Sequence, residues 1–277
     1  MATSVASISS NGQQFRVLGG TDTVRRGASN RLVVVLHGAL ASSMQLVFVR
    51  HAIEETLPDA DLLIPDYHAG PFSDEQPEEV AEELCRAIQC AVDFTRGSET
   101  PYEEIILIGY SIGSPLVLRS YLDGRDKWQS PVQRIILIAG VNWGWLIWPK
   151  APTALRFLKG LLRVIFLSAA RSGRAGMLRA LYRGKPFVGR LRAEWSTLIA
   201  SHPESLPLIV QIVGADDEWV TSEDELTLID APSFRQLSIP LTGHIDILLM
   251  PDTPLGRPRR EKLIEALTMT REETVAD

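Results

Sequence analysis

A serine stands between two glycines in Gly109-Tyr110-Ser111-Ile112-Gly113, after the aliphatic run Ile105 to Ile108 and before Leu116, Val117, Leu118, Tyr121 and Leu122 at helical spacing. Four such aliphatic residues predict a strand buried on both faces. In that setting the G-x-S-x-G pattern has a mechanical sense: a strand-to-helix turn too tight for bulky neighbours lifts the hydroxyl clear of the sheet. The alternative is a plain strand-to-helix turn with a capping serine. A hydroxyl is a weak nucleophile at neutral pH, so it needs a base, and the base needs a carboxylate to orient it. Of five histidines, His244 in Thr242-Gly243-His244 directly follows the last predicted strand, where a loop would reach the sheet edge that carries Ser111. The loop after the preceding strand, Gly214-Ala215-Asp216-Asp217-Glu218-Trp219-Val220, offers the carboxylate. A set of this kind would attack a carbonyl carbon. The other histidines fit quieter roles: His37 shapes a turn, His202 lies in a solvated loop or lines a cleft, and His51 and His68 are surface residues. Asp246, two residues past His244, is a local competitor for the imidazole.

The elements that must position these groups are legible as buried runs. Strands are expected at Leu32–Leu36, Leu62–Ile64, Ile105–Ile108, Ile135–Ile138 and Leu208–Val213, with a weaker one at Phe234–Ile239. Helical patterns lie at about 43–56, 77–95 and 112–123. Strands alternating with helices mean an α/β fold, a mostly parallel sheet flanked by helices on both sides. In the helix from 77, Glu78, Glu79, Glu82 and Glu83 form a solvated face opposite Val80, Ala81, Leu84, Ile88 and Val92. About seventy residues separate the fourth-listed strand from Leu208, too many and too hydrophobic for a loop in a compact domain.

Composition and charge narrow the classes. The 277 residues are 45% hydrophobic and 22% charged, an ordinary globular balance with room for one large core. Cys85 and Cys90, five apart on a predicted helix, make neither a disulfide framework nor a metal site, which fits a reducing, cytoplasmic setting. The first residues, MATSVASISSNGQQ, read as a loose tail over 1–12 without the basic and apolar regions of a secretion signal. The net charge of −6 conceals a segregation. From Asn142 to Ala193 there are eleven Lys or Arg and no Asp or Glu, which leaves 17 basic against 34 acidic residues elsewhere. Arg156, Lys159 and Arg163 recur at three and four and share one helical face.

With those residues in view, the chain resembles the α/β-hydrolase fold superfamily over about 31–267, apart from the inserted segment. In that family the order is nucleophile, acid, histidine, and the acid often sits in G-x-x-D-x-x-V, which Gly214, Asp217 and Val220 match. The resemblance thus implies a catalytic set of Ser111, Asp217 and His244, with Asp216 the near alternative for the acid. Val33 to Leu40, through His37-Gly38-Ala39, looks like the family's strand and oxyanion turn, and implies backbone N–H donors at Ala39 and Ile112. Pro65-Asp66-Tyr67-His68-Ala69-Gly70 resembles the family's P-D-x-x-G turn with one extra residue. The chain departs from the family in three further places. The N-terminal strand pair must fit into 13–30, where only Gln14 to Leu18 looks extended, and the helices after the last two strands look short.

The organisation expected is a tail at 1–12, an α/β-hydrolase core of 13–142 and 201–277, and a helical cap inserted at 143–200. Trp143, Trp145, Trp148, Phe157, Phe166, Tyr182, Phe187 and Trp195 make that cap aromatic as well as basic. One reading houses an acyl chain among the aromatics, with an anionic head group or acidic membrane surface held by the cations. The other has the apolar residues pack on the sheet while the cations face the acidic scaffold. The activity implied is hydrolysis of a carboxylic ester or thioester with a hydrophobic acyl group through an acyl-enzyme, without metal or organic cofactor. Its expected partners are a small-molecule or lipid acyl ester and an anionic membrane met peripherally, not nucleic acid, for which no binding motif is present. An acyltransferase or carbon–carbon hydrolase would use the same residues. A non-catalytic binding or membrane-docking protein on the same scaffold is the alternative from a different class.

Overall fold

The computed structural model describes residues 21–24, 29–39, 42–70, 73–96, 101–125, 127–129, 131–144, 176–217, 220 and 233–271. Seven strands form one sheet: β1 Thr21–Val24, β2 Arg31–Leu36, β3 Asp61–Pro65, β4 Glu104–Tyr110, β5 Val132–Ile138, β6 Leu208–Gly214 and β7 Phe234–Ile239. Their order is β1-β3-β2-β4-β5-β6-β7. From β3 to β7 every neighbouring pair is parallel, while β1 lies antiparallel on β3 at the edge. Among the described residues the helices are α1 Val47–Thr56, α2 Pro77–Arg96, α3 Gly113–Asp123, α4 Gly176–Ala180, α5 Pro186–Ser201 and α6 Gly256–Thr268.

The aliphatic runs become strands because both faces of the sheet are covered. Along β2, Leu32, Val34 and Leu36 enter one core with residues of α2, α3 and α5. Val33 and Val35 point the other way, into a second core with α1 and α6. The same alternation runs through β4, where Ile105 and Leu107 serve the first core and Ile106 and Ile108 the second. Each fully buried side chain of this kind contributes about 1.5–3 kcal/mol relative to exposure. The layers therefore fix the sheet, and the sheet fixes where its loops emerge.

The chain leaves β2 for β3 on one side and then returns across β2 to β4. A reversal of that kind opens a crevice at the C-terminal ends of the two strands between which the order turns. The register pairs Leu36 with Gly109, so the residues just past β2 emerge beside the turn just past β4.

One expectation at the ends of the fold needs correction, another falls outside the described residues, and the inserted segment needs its own description. The edge strand seen is Thr21–Val24, whereas the stretch expected to be extended, 14–18, lies outside the described residues. The last helix is not short: α6 runs thirteen residues and buries Leu263, Ala266 and Leu267. Of the segment 143–200, residues 145–175 lie outside the described residues, including Arg156, Lys159 and Arg163. Its later part joins the main helical layer, because α5 buries Phe187, Val188, Leu191, Trp195 and Leu198 along one stripe. Trp195 stacks on Tyr121 at 5.4 Å and donates its indole N–H to the Leu118 carbonyl of α3 at 3.3 Å. The exposed face of α5 meets acid: Arg190 pairs with Glu78 of α2 at 2.6 Å. Among the described residues, no helix is long and apolar enough to cross a membrane.

Candidate active site

Ser111 occupies a left-handed backbone conformation, with φ at 53°. For a residue with a Cβ this costs about 1–3 kcal/mol and persists only where the surroundings impose it. Here the Ser111 N–H donates to the Ile138 carbonyl at 2.9 Å, and the Ser111 carbonyl accepts from Ser114 at 3.1 Å and Val141 at 3.3 Å. The flanking glycines are required by space. A Cβ on Gly109 would stand 2.6 Å from the Ser114 Cα, and one on Gly113 would stand 2.7 Å from the His37 carbonyl oxygen. The turn thus fits between β2 and α3 only without side chains at those two positions.

His244 reaches this turn from the loop after β7. The Ser111 hydroxyl donates to His244 Nε2 at 2.9 Å, and His244 Nδ1–H donates to Asp217 Oδ2 at 2.8 Å. A carboxylate only accepts, so this pairing puts the ring proton on Nδ1 and leaves Nε2 free to take the serine proton. Asp217 follows β6, and its carboxylate is 2% exposed. Its second oxygen accepts the Val220 N–H at 2.9 Å, which fixes the plane of the carboxylate. Asp216 and Asp246, the two competing acids, are both exposed. Three side chains from three loops thus meet in one hydrogen-bonded line.

The turn after β2 closes the other side. His37 is fully buried and stacked on Tyr67 at 4.2 Å. Its Nδ1–H donates to the Gly38 carbonyl at 2.9 Å, its Nε2 accepts the Tyr67 N–H at 3.2 Å, and the Tyr67 hydroxyl donates to the His37 carbonyl at 2.6 Å. Asp66 accepts the Ser43 N–H at 2.6 Å and the Ser43 hydroxyl at 2.9 Å. The two turns noted in the sequence, His37-Gly38 and Pro65-Asp66-Tyr67, are therefore halves of one lock. Burial pushes the His37 imidazole below its ordinary pKa, against the raising pull of the Gly38 carbonyl and the Asp66 carboxylate. Past this lock comes Ala39, and past Ser111 comes Ile112. Among the described residues, neither backbone N–H has an acceptor.

Chains of known structure share this arrangement of layers and loops. An esterase of Pyrobaculum calidifontis matches with a TM-score of 0.59 and 20% identity, over 95% of this chain and 80% of that one. An esterase/lipase from an uncultured bacterium matches with a TM-score of 0.59 and 17% identity, over 98% and 88%. A monoacylglycerol lipase of Paleococcus ferrophilus matches with a TM-score of 0.53 and 15% identity, over 91% and 96%. This chain has the α/β-hydrolase fold. No protein-family model and no curated protein sequence matches it.

On this α/β-hydrolase scaffold the remaining histidines stand apart from the line. His51 and His68 are exposed beside Glu55 and Glu75, and His202 is exposed beside the Ser201 hydroxyl. Among the described residues, no group of three or more His, Cys, Asp or Glu side chains is disposed to hold a metal ion. One contact escaped the sequence reading. Tyr110, next to the serine, donates its hydroxyl to the His244 carbonyl at 3.1 Å and tilts its ring against the imidazole at 5.4 Å. Only its place in the pentapeptide could have drawn notice to it.

Proposed function

We propose that this chain is a serine hydrolase cleaving carboxylic esters or thioesters with a hydrophobic acyl group through an acyl-enzyme. The observation that carries the reading is the line from the Ser111 hydroxyl through His244 to Asp217, at 2.9 and 2.8 Å, on a strained turn at the C-terminal end of β4. Ser111 Oγ attacks the carbonyl carbon while its proton passes to His244 Nε2, and Asp217 stabilises the imidazolium that forms. The oxyanion accepts from the Ala39 and Ile112 N–H groups, at about 3 kcal/mol per donor. Collapse expels the alcohol or thiol, which takes the proton from Nε2. A water deprotonated at the same nitrogen then adds to the acyl carbon, and its collapse releases the carboxylic acid and returns the proton to Ser111.

Two features support an apolar ester as substrate. The fold is shared with proteins described as esterases and as a monoacylglycerol lipase. Around His244 the loop exposes Leu241 and Ile245, at 69% and 64% of their surface, so an entering acyl chain meets aliphatic side chains. We assign the α/β core to 13–142 and 201–277 and the inserted unit to 143–200, of which α5 packs on α3. Peripheral contact of that basic segment with anionic lipid is part of the same proposal. Changing Arg156, Lys159 and Arg163 to Gln should reduce flotation with anionic vesicles and leave short-ester turnover within a few fold. Equal flotation refutes the contact.

The test of the activity is a panel of acyl esters and thioesters of graded chain length, with Ser111→Ala in parallel. The expected result is turnover that rises with chain length and is lost by several powers of ten in Ser111→Ala. Turnover that survives the substitution refutes the mechanism.

A further inference from the structure

Arg259 sits in the first turn of α6, yet its side chain turns inward and the residue is 7% exposed. Among the described residues its acceptors are neutral oxygens, and all lie on the loop that carries His244. Nε donates to the Thr242 hydroxyl oxygen at 3.1 Å, one terminal nitrogen to the Leu249 carbonyl at 3.1 Å, and the other to the Leu241 carbonyl at 3.5 Å. The guanidinium therefore grips the loop at both ends. The grip extends to the neighbouring loop through Thr242, whose carbonyl accepts the Asp216 N–H at 3.0 Å, one residue before Asp217. A Cβ on Gly214 would stand 2.2 Å from that same carbonyl, so the two loops are in direct backbone contact there. Leu241 itself holds a left-handed φ of 52°, a conformation that a branched aliphatic residue keeps only when imposed.

We propose that Arg259 is a positioning residue for the acid and base of the site: it holds the His244 loop against the Asp217 loop so that the imidazole stays aligned with both Asp217 and Ser111. The assignment rests on the reading of Ser111, His244 and Asp217 given above. A buried cation held by neutral oxygens is a poor device for stability alone, since an apolar side chain of the same volume would fill the space without desolvating a charge. What the guanidinium adds is a planar fork that binds three acceptors in fixed directions, which neither an apolar side chain nor the single point of a lysine reproduces. Misplacement of a base by about 1 Å costs on the order of a hundredfold in rate.

The experiment follows the labelling of the whole chain by a fluorophosphonate, read by intact mass as a rate constant and an end point, beside KM for a butyrate ester. The variants are Arg259→Met, Arg259→Lys, Thr242→Val and, as a control, Arg134→Lys. Arg134 binds the Met269 carbonyl and Glu104, away from the site. Arg259→Met should reach the wild-type end point about a hundredfold more slowly with KM unchanged, because geometry and not the folded fraction is altered. Arg259→Lys should fall between the two. Arg134→Lys should lower the melting temperature and leave the rate constant of the folded chain as it was. If Arg259→Met does not fold, Thr242→Val carries the test, with labelling expected to slow about tenfold on the same argument of misplacement. Rate constants equal to wild type in the folded Arg259 variants, or in Thr242→Val where it stands in, overturn this assignment alone. A folded wild-type chain that takes no label overturns the reading of the site and this assignment with it.

Discussion

Replacing Asp217 by Asn changes one oxygen to an NH2 group, and the structure says which one. Among the described residues Asp217 accepts from two N–H donors, Val220 on one oxygen at 2.9 Å and His244 Nδ1 on the other at 2.8 Å. An amide has a single acceptor, so it satisfies one of the two. With its oxygen toward Val220, the amide turns its NH2 to the imidazole, and Nδ1 must accept. The ring proton then moves to Nε2, where it blocks transfer from Ser111. The opposite rotamer keeps the useful tautomer but sets the Val220 N–H against an NH2 group, at a cost of about 1–3 kcal/mol. That leaves roughly 1–15% of molecules competent, since 1.4 kcal/mol is tenfold. The negative charge opposite the imidazolium is lost in both rotamers. Together these place the loss in kcat at about 10³–10⁴, in the range expected for a wrong tautomer. Asp216→Asn, at an exposed position, should stay within about twofold. Initial rates on a short soluble ester, with circular dichroism to verify folding, provide the assay. A loss under tenfold in Asp217→Asn, or a larger loss in Asp216→Asn, refutes the reasoning.

The turns that frame the site make further demands. Gly113→Ala would bring a methyl to 2.7 and 2.8 Å from the His37 and Leu36 carbonyl oxygens, both backbone. The expected cost is about 2–3 kcal/mol, read as a lowered melting temperature; an unchanged melt contradicts the packing described. His37 makes stability depend on pH. Because burial lowers its pKa in the folded state, the unfolded chain binds the extra proton first, and stability rises with pH through the interval below the ordinary value near 6.5. The melting temperature should therefore fall as pH drops through that interval, and His37→Gln should flatten that part of the curve. A wild-type slope preserved in His37→Gln assigns the effect elsewhere.

What the sequence disclosed, and what it withheld, follows from the range of each interaction. Strands β2 to β6 were readable because burial on both faces forces aliphatic runs, while the edge strand β7, with alternating burial, gave the weaker signal; the observed bounds of all six lie within a few residues of those expected. The edge strand Thr21–Val24 was not, because Thr-Asp-Thr-Val offers no hydrophobic run. Helix α6 was underestimated because Arg257, Arg259, Arg260, Glu261 and Lys262 interrupt its apolar pattern, although Arg259 is itself buried. Ser111 and His244 lie 133 positions apart, and only the alternation of strands and loops placed them at one sheet edge in advance. Tyr110 and Arg259 carry no local pattern that distinguishes them. Their contacts with the His244 loop are set by the packing of the layers.

The central claim is that the Ser111 hydroxyl is a nucleophile primed by His244. Its most direct test is mass spectrometry of the whole chain after treatment with a fluorophosphonate, followed by peptide mapping. The account predicts a single adduct on the peptide that contains Ser111, and none in a folded Ser111→Ala chain. An adduct of equal yield in Ser111→Ala, or a folded wild-type chain that remains unlabelled, would contradict it.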